Sequence, residues 1–265
     1  MILRWHTSKN CNMKILLTND DGYKAQGLLQ LAIELAKHHE VHIVAPDSER
    51  SGAGHSVTFW RALNYKEIDT KALTDGKLDV PCYALDGTPC DCTKFAIEHL
   101  YLGAPFDLVV SGINTCLNVG TDAIYSGTFN AAQEGTILGV KGVSLSTVDT
   151  DGDYSFPIRF FIENMDDILS RIRPMVTINV NIPSSKEEEI KGVRVVKGGH
   201  RTYNDHYVKK DDGFYTKGAP YDQSNSPYDD DCKAVDSGYI AITPIRAIPR
   251  DEDLLDDYID VEWAL

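Results

Sequence analysis

The stretch that decides the fold is Lys14-Ile-Leu-Leu-Thr-Asn-Asp-Asp-Gly22, with the residues that follow it to Pro46. Lys14–Thr18 is a short apolar run that stops at polar Asn19, as a buried strand does. From Ala25 to His39, the residues Leu28, Leu31, Ala32, Leu35 and Ala36 fall on the i, i+3, i+4, i+7 stripe of an amphipathic helix. Val41–Ala45 is a second strand, closed by Pro46. Strand, helix and strand within about 30 residues make a βαβ unit, whose strands lie parallel in one sheet.

The pattern continues outward. Strand-like pieces fall at 57–60, 64–68 and 80–85, and Thr88 is placed to cap a helix reaching about Leu102. Strands follow at 107–111, 140–147 and 175–181, with helices at about 126–138 and 156–172. After Pro183 the character changes. Residues 184–237 mix charged, aromatic and turn residues, too polar for more parallel sheet, and read as a hairpin-containing excursion. Tyr239–Thr243 returns as a strand. The expected fold is α/β: a Rossmann-like, mostly parallel sheet with helices on both faces, plus a C-terminal hairpin extension. The expected division is an N-terminal extension or tag at 1–12, a core at 13–183 and 238–249, the hairpin extension at 184–237, and an acidic tail at 250–265.

The chain has 265 residues, 42% hydrophobic and 25% charged, which suits a globular protein with a sizeable core. Its net charge of −14 argues against a nucleic-acid polymer as partner. No apolar run approaches the roughly 20 residues of a membrane span. The six cysteines, at 11, 82, 90, 92, 116 and 232, form no CxxC pair, as expected of free thiols in a reducing compartment.

Ligands in open α/β sheets bind beyond the carboxyl ends of the strands. Three polar, glycine-bearing loops should meet there: Asn19-Asp20-Asp21-Gly22, Asp47 to Ser56, and Ser111-Gly112-Ile113-Asn114 with Asn118 behind it. Asp20 and Asp21 are either a helix cap and turn or a pair of carboxylates that invite a hard cation such as Mg²⁺, Mn²⁺ or Ca²⁺. Convergence with the other two loops favours the metal. Ser126-Gly127-Thr128 opens a helix and is either an ordinary cap or a phosphate cradle. His55 reads as a structural hydrogen-bonder before a base, and Cys90, Cys92 and Cys116 lack zinc spacing. There is no GxGxxG after the first strand, no GxxxxGK[ST], no DxD at the first strand and no GxSxG.

At these residues the chain resembles the survival protein SurE family. The resemblance is carried by Lys14–Gly22, by Ala45–Ser51, by Gly54-His-Ser-Val-Thr58 and by Gly87-Thr-Pro-Cys-Asp-Cys92. It continues in Val110–Asn114, in Tyr125–Thr128 with Ala131, Ala132, Glu134 and Gly135, and in Gly238–Pro244. It runs from about Met13 to Pro244, with Thr115-Cys116 and Asn130 as departures. The resemblance implies a cytoplasmic nucleotidase that depends on a divalent cation, Mg²⁺ or Mn²⁺, with Ca²⁺ as a stand-in in crystals. It implies hydrolysis of nucleoside 5′- and 3′-monophosphates, with short polyphosphate as a secondary substrate. The family's metal ligands fall on Asp20, Asp21, Ser51 and Asn114, and Asp20, Asp21 and Asn114 become the expected catalytic residues. Its phosphate contacts fall on Ser126, Gly127 and Thr128, with Asn118 nearby. A homodimer or homotetramer joined by an exchanged extension is also implied. The aromatic content of 184–237 points the same way, because those side chains need burial that their polar surroundings do not supply. A nucleotide-dependent transferase and a metal-stabilised binding scaffold are the rival classes.

Overall fold

The structure, a computed structural model, describes residues 12–148 and 151–248. The extension expected at 1–12 (but for Asn12) and the tail at 250–265 lie outside the described residues. The elements run β1 (Lys14–Thr18), α1 (Gln26–Leu35), β2 (Glu40–Pro46), β3 (Tyr65–Glu67), α2 (Thr70–Leu73), β4 (Cys82–Leu85) and α3 (Pro89–Phe95). Next come β5 (Leu108–Asn114), α4 (Asp122–Tyr125), α5 (Gly127–Ile137), β6 (Lys141–Thr147), α6 (Ser155–Arg171) and β7 (Val176–Ile182). The chain finishes with β8 (Val193–Val195), β9 (His206–Lys210), β10 (Gly213–Lys217), α7 (Asp231–Asp236) and β11 (Ile240–Arg246).

Nine strands form one sheet in the order β3-β4-β2-β1-β5-β6-β7-β11-β8. The six from β4 to β7 are mutually parallel. β3 and β11 run against their neighbours β4 and β7. From β1 the chain winds outward to β2 and β4, then returns to β5 and winds the other way. The order therefore reverses between β1 and β5, and a crevice opens at their carboxyl ends.

Period-two alternation splits the core between the two faces of the sheet. Ile15, Leu17, Ile43 and Val110 pack with Leu28, Leu31, Phe161 and Met165 of α1 and α6. Leu16, Val44 and Val109 face the other way, with Cys92 and Ala96 of α3 and the turn after it. Thr88 caps α3 through a reciprocal pair: its hydroxyl accepts from Asp91 N–H, and Asp91 accepts from Thr88 N–H.

Several boundaries differ from expectation. α1 ends at Leu35 and not His39; residues 36–39 wind into turns, with His39 N–H on Leu35 O at 3.0 Å. The piece at 57–60 is not a strand. Thr58 donates its N–H and hydroxyl to Asp91, and neither Phe59 nor Trp60 has a face to bury. β5 continues past Ser111 to Asn114, through a register shift. Gly112 makes this close approach, since a Cβ there would stand 2.3 Å from Leu145 O. Residues 184–237 are also not wholly apart from the sheet, contrary to the sequence reading. β8 pairs in parallel with β11, and Val196, Cys232, Ala234 and Val235 form a small core with Val119 and Ala241. A three-residue strand is too short for hydrophobic patterning to reveal. The hairpin itself is β9–β10, paired antiparallel from His206–Lys217 to Lys210–Gly213.

Candidate active site

Asp20 and Asp21 follow β1 directly. Asn19 shapes this turn: its side chain accepts from Gly22 N–H at 3.1 Å and donates to Gly22 O at 3.0 Å. Gly22 has φ +95°, a conformation that L side chains rarely adopt. Asp20 is buried, with 6% of its surface exposed, and its carboxylate accepts the Thr128 hydroxyl. Burial raises its pKa, against the opposing effect of the Thr128 bond. Asp21 is less buried, and no hydrogen bond to its carboxylate is seen among the described residues. Burial, then the charges of Asp20 and Glu49, push its pKa up to about 6.

The second loop closes on the first. Arg50 N–H donates to Asp20 O at 2.7 Å, which brings Glu49 and Ser51 beside the aspartates. Ser51 is exposed and its hydroxyl donates to Glu49 at 2.7 Å. At the end of β5, Asn114 donates its amide N–H to Cys116 O at 2.7 Å and keeps its Oδ1 as an acceptor. Cys116 is close enough that burial and then the Asp21 and Asp20 charges raise its thiol pKa.

α5 begins against this group. A Cβ on Gly127 would lie 2.8 Å from Asp20 Cβ and 3.0 Å from Pro89 Cγ, so only glycine lets the helix start approach so closely. Ser126 caps the helix, its hydroxyl oxygen accepting Phe129 N–H at 2.9 Å. Its own O–H remains a donor.

The structure thus brings Asp20, Asp21, Ser126, Gly127 and Thr128 together, with Ser51 drawn in by Arg50 and Asn114 at the neighbouring strand end. Two expected phosphate contacts are otherwise engaged. The Thr128 hydroxyl is fully buried on Asp20. Asn118 is buried in a polar network: its N–H meets Asn181 Oδ1 at 2.7 Å, its side chain donates to Ser146 at 2.9 Å, and its carbonyl accepts from Asn179 at 2.7 Å. Asn118 therefore fixes the 114–120 loop to β6 and β7. Sequence reasoning passed over Glu49, Arg50, Asn179 and Asn181. The last two stand out only as amides that, with Thr177, alternate with the apolar residues of β7, all three on one face.

His55 takes its structural role, with Nδ1 3.1 Å from Gln133 and Nε2 2.8 Å from Glu134. Cys90 and Cys92 are buried thiols whose pKa values burial raises. A second acidic group, Asp230-Asp231-Cys232, is consumed internally. Asp230 caps α7, and Asp231 accepts Gly120 and Gly199 N–H at 2.9 and 2.8 Å.

These features define a class: a doubly wound α/β protein with an oxygen-rich acidic centre at the switch point of its sheet. The model of the family "Survival protein SurE" matches residues 15–205. The 5′-nucleotidase SurE of Pelotomaculum thermopropionicum is 39% identical over 241 residues, covering 88% of this chain and 89% of the relative. That of Pseudothermotoga lettingae is 38% identical over 258 residues, covering 94% and 95%. The crystal structure of the SurE protein from Aquifex aeolicus superposes with a TM-score of 0.77 at 32% identity, over 92% of this chain and 98% of that one. The chain belongs to the survival protein SurE family. No helix among the described residues is long and apolar enough to cross a membrane.

Proposed function

We propose that this chain is a divalent-cation-dependent nucleotidase that hydrolyses nucleoside 5′-monophosphates, and 3′-monophosphates, to nucleoside and phosphate. The carrying observation is the placement of Asp20 and Asp21 at the switch point, with Asp20 directly against the start of α5. The names of its relatives supply the substrate class.

The donor set fits a hard cation. Two adjacent carboxylates and Glu49 crowd one place: burial and then the Glu49 charge push Asp20 toward protonation, and burial and then the charges of Asp20 and Glu49 push Asp21 the same way. Mg²⁺ or Mn²⁺ would be held by Asp20, Asp21, Ser51 and Asn114, all oxygen donors. Bound there, the ion supplies charge neutralisation of the phosphoryl oxygens and acidifies water. The protein's own groups do the rest. Thr128 holds Asp20 in one orientation. Ser126 and the N–H groups opening α5 offer donors to phosphate oxygens, where a helix start favours negative charge. Asp21, the less buried of the two aspartates, is the group placed to accept a proton from the attacking water. Phosphoryl transfer asks mainly for such positioning and charge stabilisation. Short polyphosphate presents the same terminal phosphate and is a secondary substrate in this reading.

Assembly is proposed through the hairpin. Tyr207 and Phe214 of β9–β10 are exposed, and their burial against a second copy would give a closed dimer or a tetramer. Five described cysteines are free, in keeping with a cytoplasmic location. The deciding assay is phosphate release from adenosine 5′-monophosphate with Mg²⁺ or Mn²⁺, abolished by EDTA. Full activity in EDTA overturns the cation; no release under any condition overturns the nucleotidase reading.

A further inference from the structure

Phe59 and Trp60 stand in solvent, 73% and 98% exposed. A single exposed apolar residue needs no explanation, but two large aromatic neighbours on a braced loop do. The loop is clamped before and behind them. Ser56 O accepts the Thr88 hydroxyl at 2.6 Å. Thr58 gives its N–H to one Asp91 oxygen at 2.8 Å and its hydroxyl to the other at 2.6 Å. Arg61 pairs with Asp86 at 3.1 Å, and Asn64 holds the same carboxylate through its N–H and its amide at 2.9 and 3.0 Å. The rings are thus carried on fixed backbone.

That backbone is fastened to the walls of the acidic centre. Thr88 and Asp91 cap α3, and the residue between caps and site, Pro89, lies against Gly127, which lies against Asp20. On the other flank Gly54 N–H donates to Tyr125 O at 2.9 Å, next to Ser126. The same loop carries Ser51. Phe59 and Trp60 therefore ride on a loop that is fastened to the elements walling the centre.

We propose that Phe59 and Trp60 form a stacking platform for the nucleobase of the substrate. This deepens the nucleotidase reading and rests on it: the phosphate end meets the aspartates and the start of α5, and the base end meets the rings. Every base has a π-face, so stacking on indole gains affinity without selecting one base by hydrogen bonds. Aromatic rings also lose little rotamer freedom when a ligand settles on them. Two side chains by themselves are far too small an area for a stable subunit contact, which needs on the order of 1,000 Å² in total, whereas one indole face is enough for a base to stack on. The flanking Arg61 and Asp86 are spent on each other, leaving the rings as the recognition element.

The test compares adenosine 5′-monophosphate with ribose 5-phosphate, which differ only in the base. Trp60→Ala should cut the wild-type preference for the nucleotide, as kcat/KM, about tenfold, chiefly through KM. Trp60→Phe, which keeps a ring, should restore most of that preference. Adenosine, which has no phosphate, should quench the emission of Trp60 in wild-type protein, with Trp60→Phe as the blank for Trp5 and Trp263. Equal losses on both substrates, or a changed oligomer in light scattering with the preference intact, would overturn the platform. If wild type hydrolyses neither compound, the nucleotidase reading fails by itself, and adenosine quenching still decides the platform.

Discussion

At the carboxyl ends of the central strands many polar side chains are buried and bound within the chain: Thr128 to Asp20, Asn118 to Ser146, Ser144 to Asn179, Ser126 to the Phe129 N–H. Between His206 and Lys217 the reverse holds, with Tyr207 and Phe214 largely in solvent and, among the described residues, the hairpin's own ladder and the contacts of Tyr215 with Asp212 and Lys210 to hold it. The first region is held by bonds within the chain itself, as preorganised electrostatic catalysis would require of the site proposed there. The second is a two-stranded ribbon, an arrangement marginal by itself in water. One region is built to keep its shape; the other, in the assembly proposed above, would find a partner.

The strongest way to break the comparison is at Asp20. Asp20→Asn keeps the size of the side chain but removes a charge from the cation's shell. It should lower kcat about 10²–10³-fold or more, with the circular-dichroism spectrum unchanged. Normal turnover at limiting metal, measured by phosphate release, would remove Asp20 from the ligand set.

The hairpin is broken at its base. Asn204 N–H donates to Ala219 O at 3.2 Å and Ala219 N–H to Asn204 Oδ1 at 2.7 Å, so the ends left by deleting 205–218 already lie together. The deleted protein should keep its melting temperature within a few degrees, as loss of a segment outside the cores predicts. Its mass by light scattering should fall to that of a smaller assembly. An unaltered assembly would show that other surfaces hold the subunits.

The same contrast explains what could be read from the sequence. β1, α1 and β2 were legible because each buries a continuous apolar face with the period of its element. Asp20, Asp21 and Ser126 were legible because they sit where such elements end. The roles of Thr128 and Asn118 were not. Whether a hydroxyl points to a substrate or to Asp20 depends on where α5 lands, and that is set by Gly127 packing on Asp20 and Pro89. β8 was missed because three residues carry no period; its place is decided by β11, which lies more than forty residues later. Arg50 was passed over because its decisive bond uses the backbone N–H, which no side-chain pattern announces.

A smaller effect separates cap from cradle. Ser126→Ala removes the acceptor for Phe129 N–H and should cost about 1 kcal/mol of stability. If the hydroxyl also donates to phosphate, KM rises and kcat falls together, since the same donor serves ground and transition states. A loss of stability with unchanged kinetics would leave Ser126 as a helix cap alone.

The smallest expected effect lies at His55, where the Ser51 loop is pinned to α5. Its ring faces Glu134 and Gln133, and Lys94 approaches Glu134 from the other side at 3.8 Å. The Glu134 hydrogen bond, opposed in part by burial, raises the His55 pKa above its ordinary value. The folded state therefore binds this proton more tightly than the unfolded chain. The resulting stabilisation is fully present below about pH 6.5, the unfolded value, and is lost as pH rises through the folded pKa. Other titrating groups add their own slopes, so the observable is a difference between proteins. Denaturant unfolding of wild type and His55→Asn at pH 5.5 and pH 8 should give a larger gap at the lower pH, by less than about 1 kcal/mol for a partly exposed pair. A gap that is equal at both pH values would mean that His55 pins the loop as a neutral hydrogen-bonder, and that its charge adds nothing to the rigidity that sets this region apart from the hairpin.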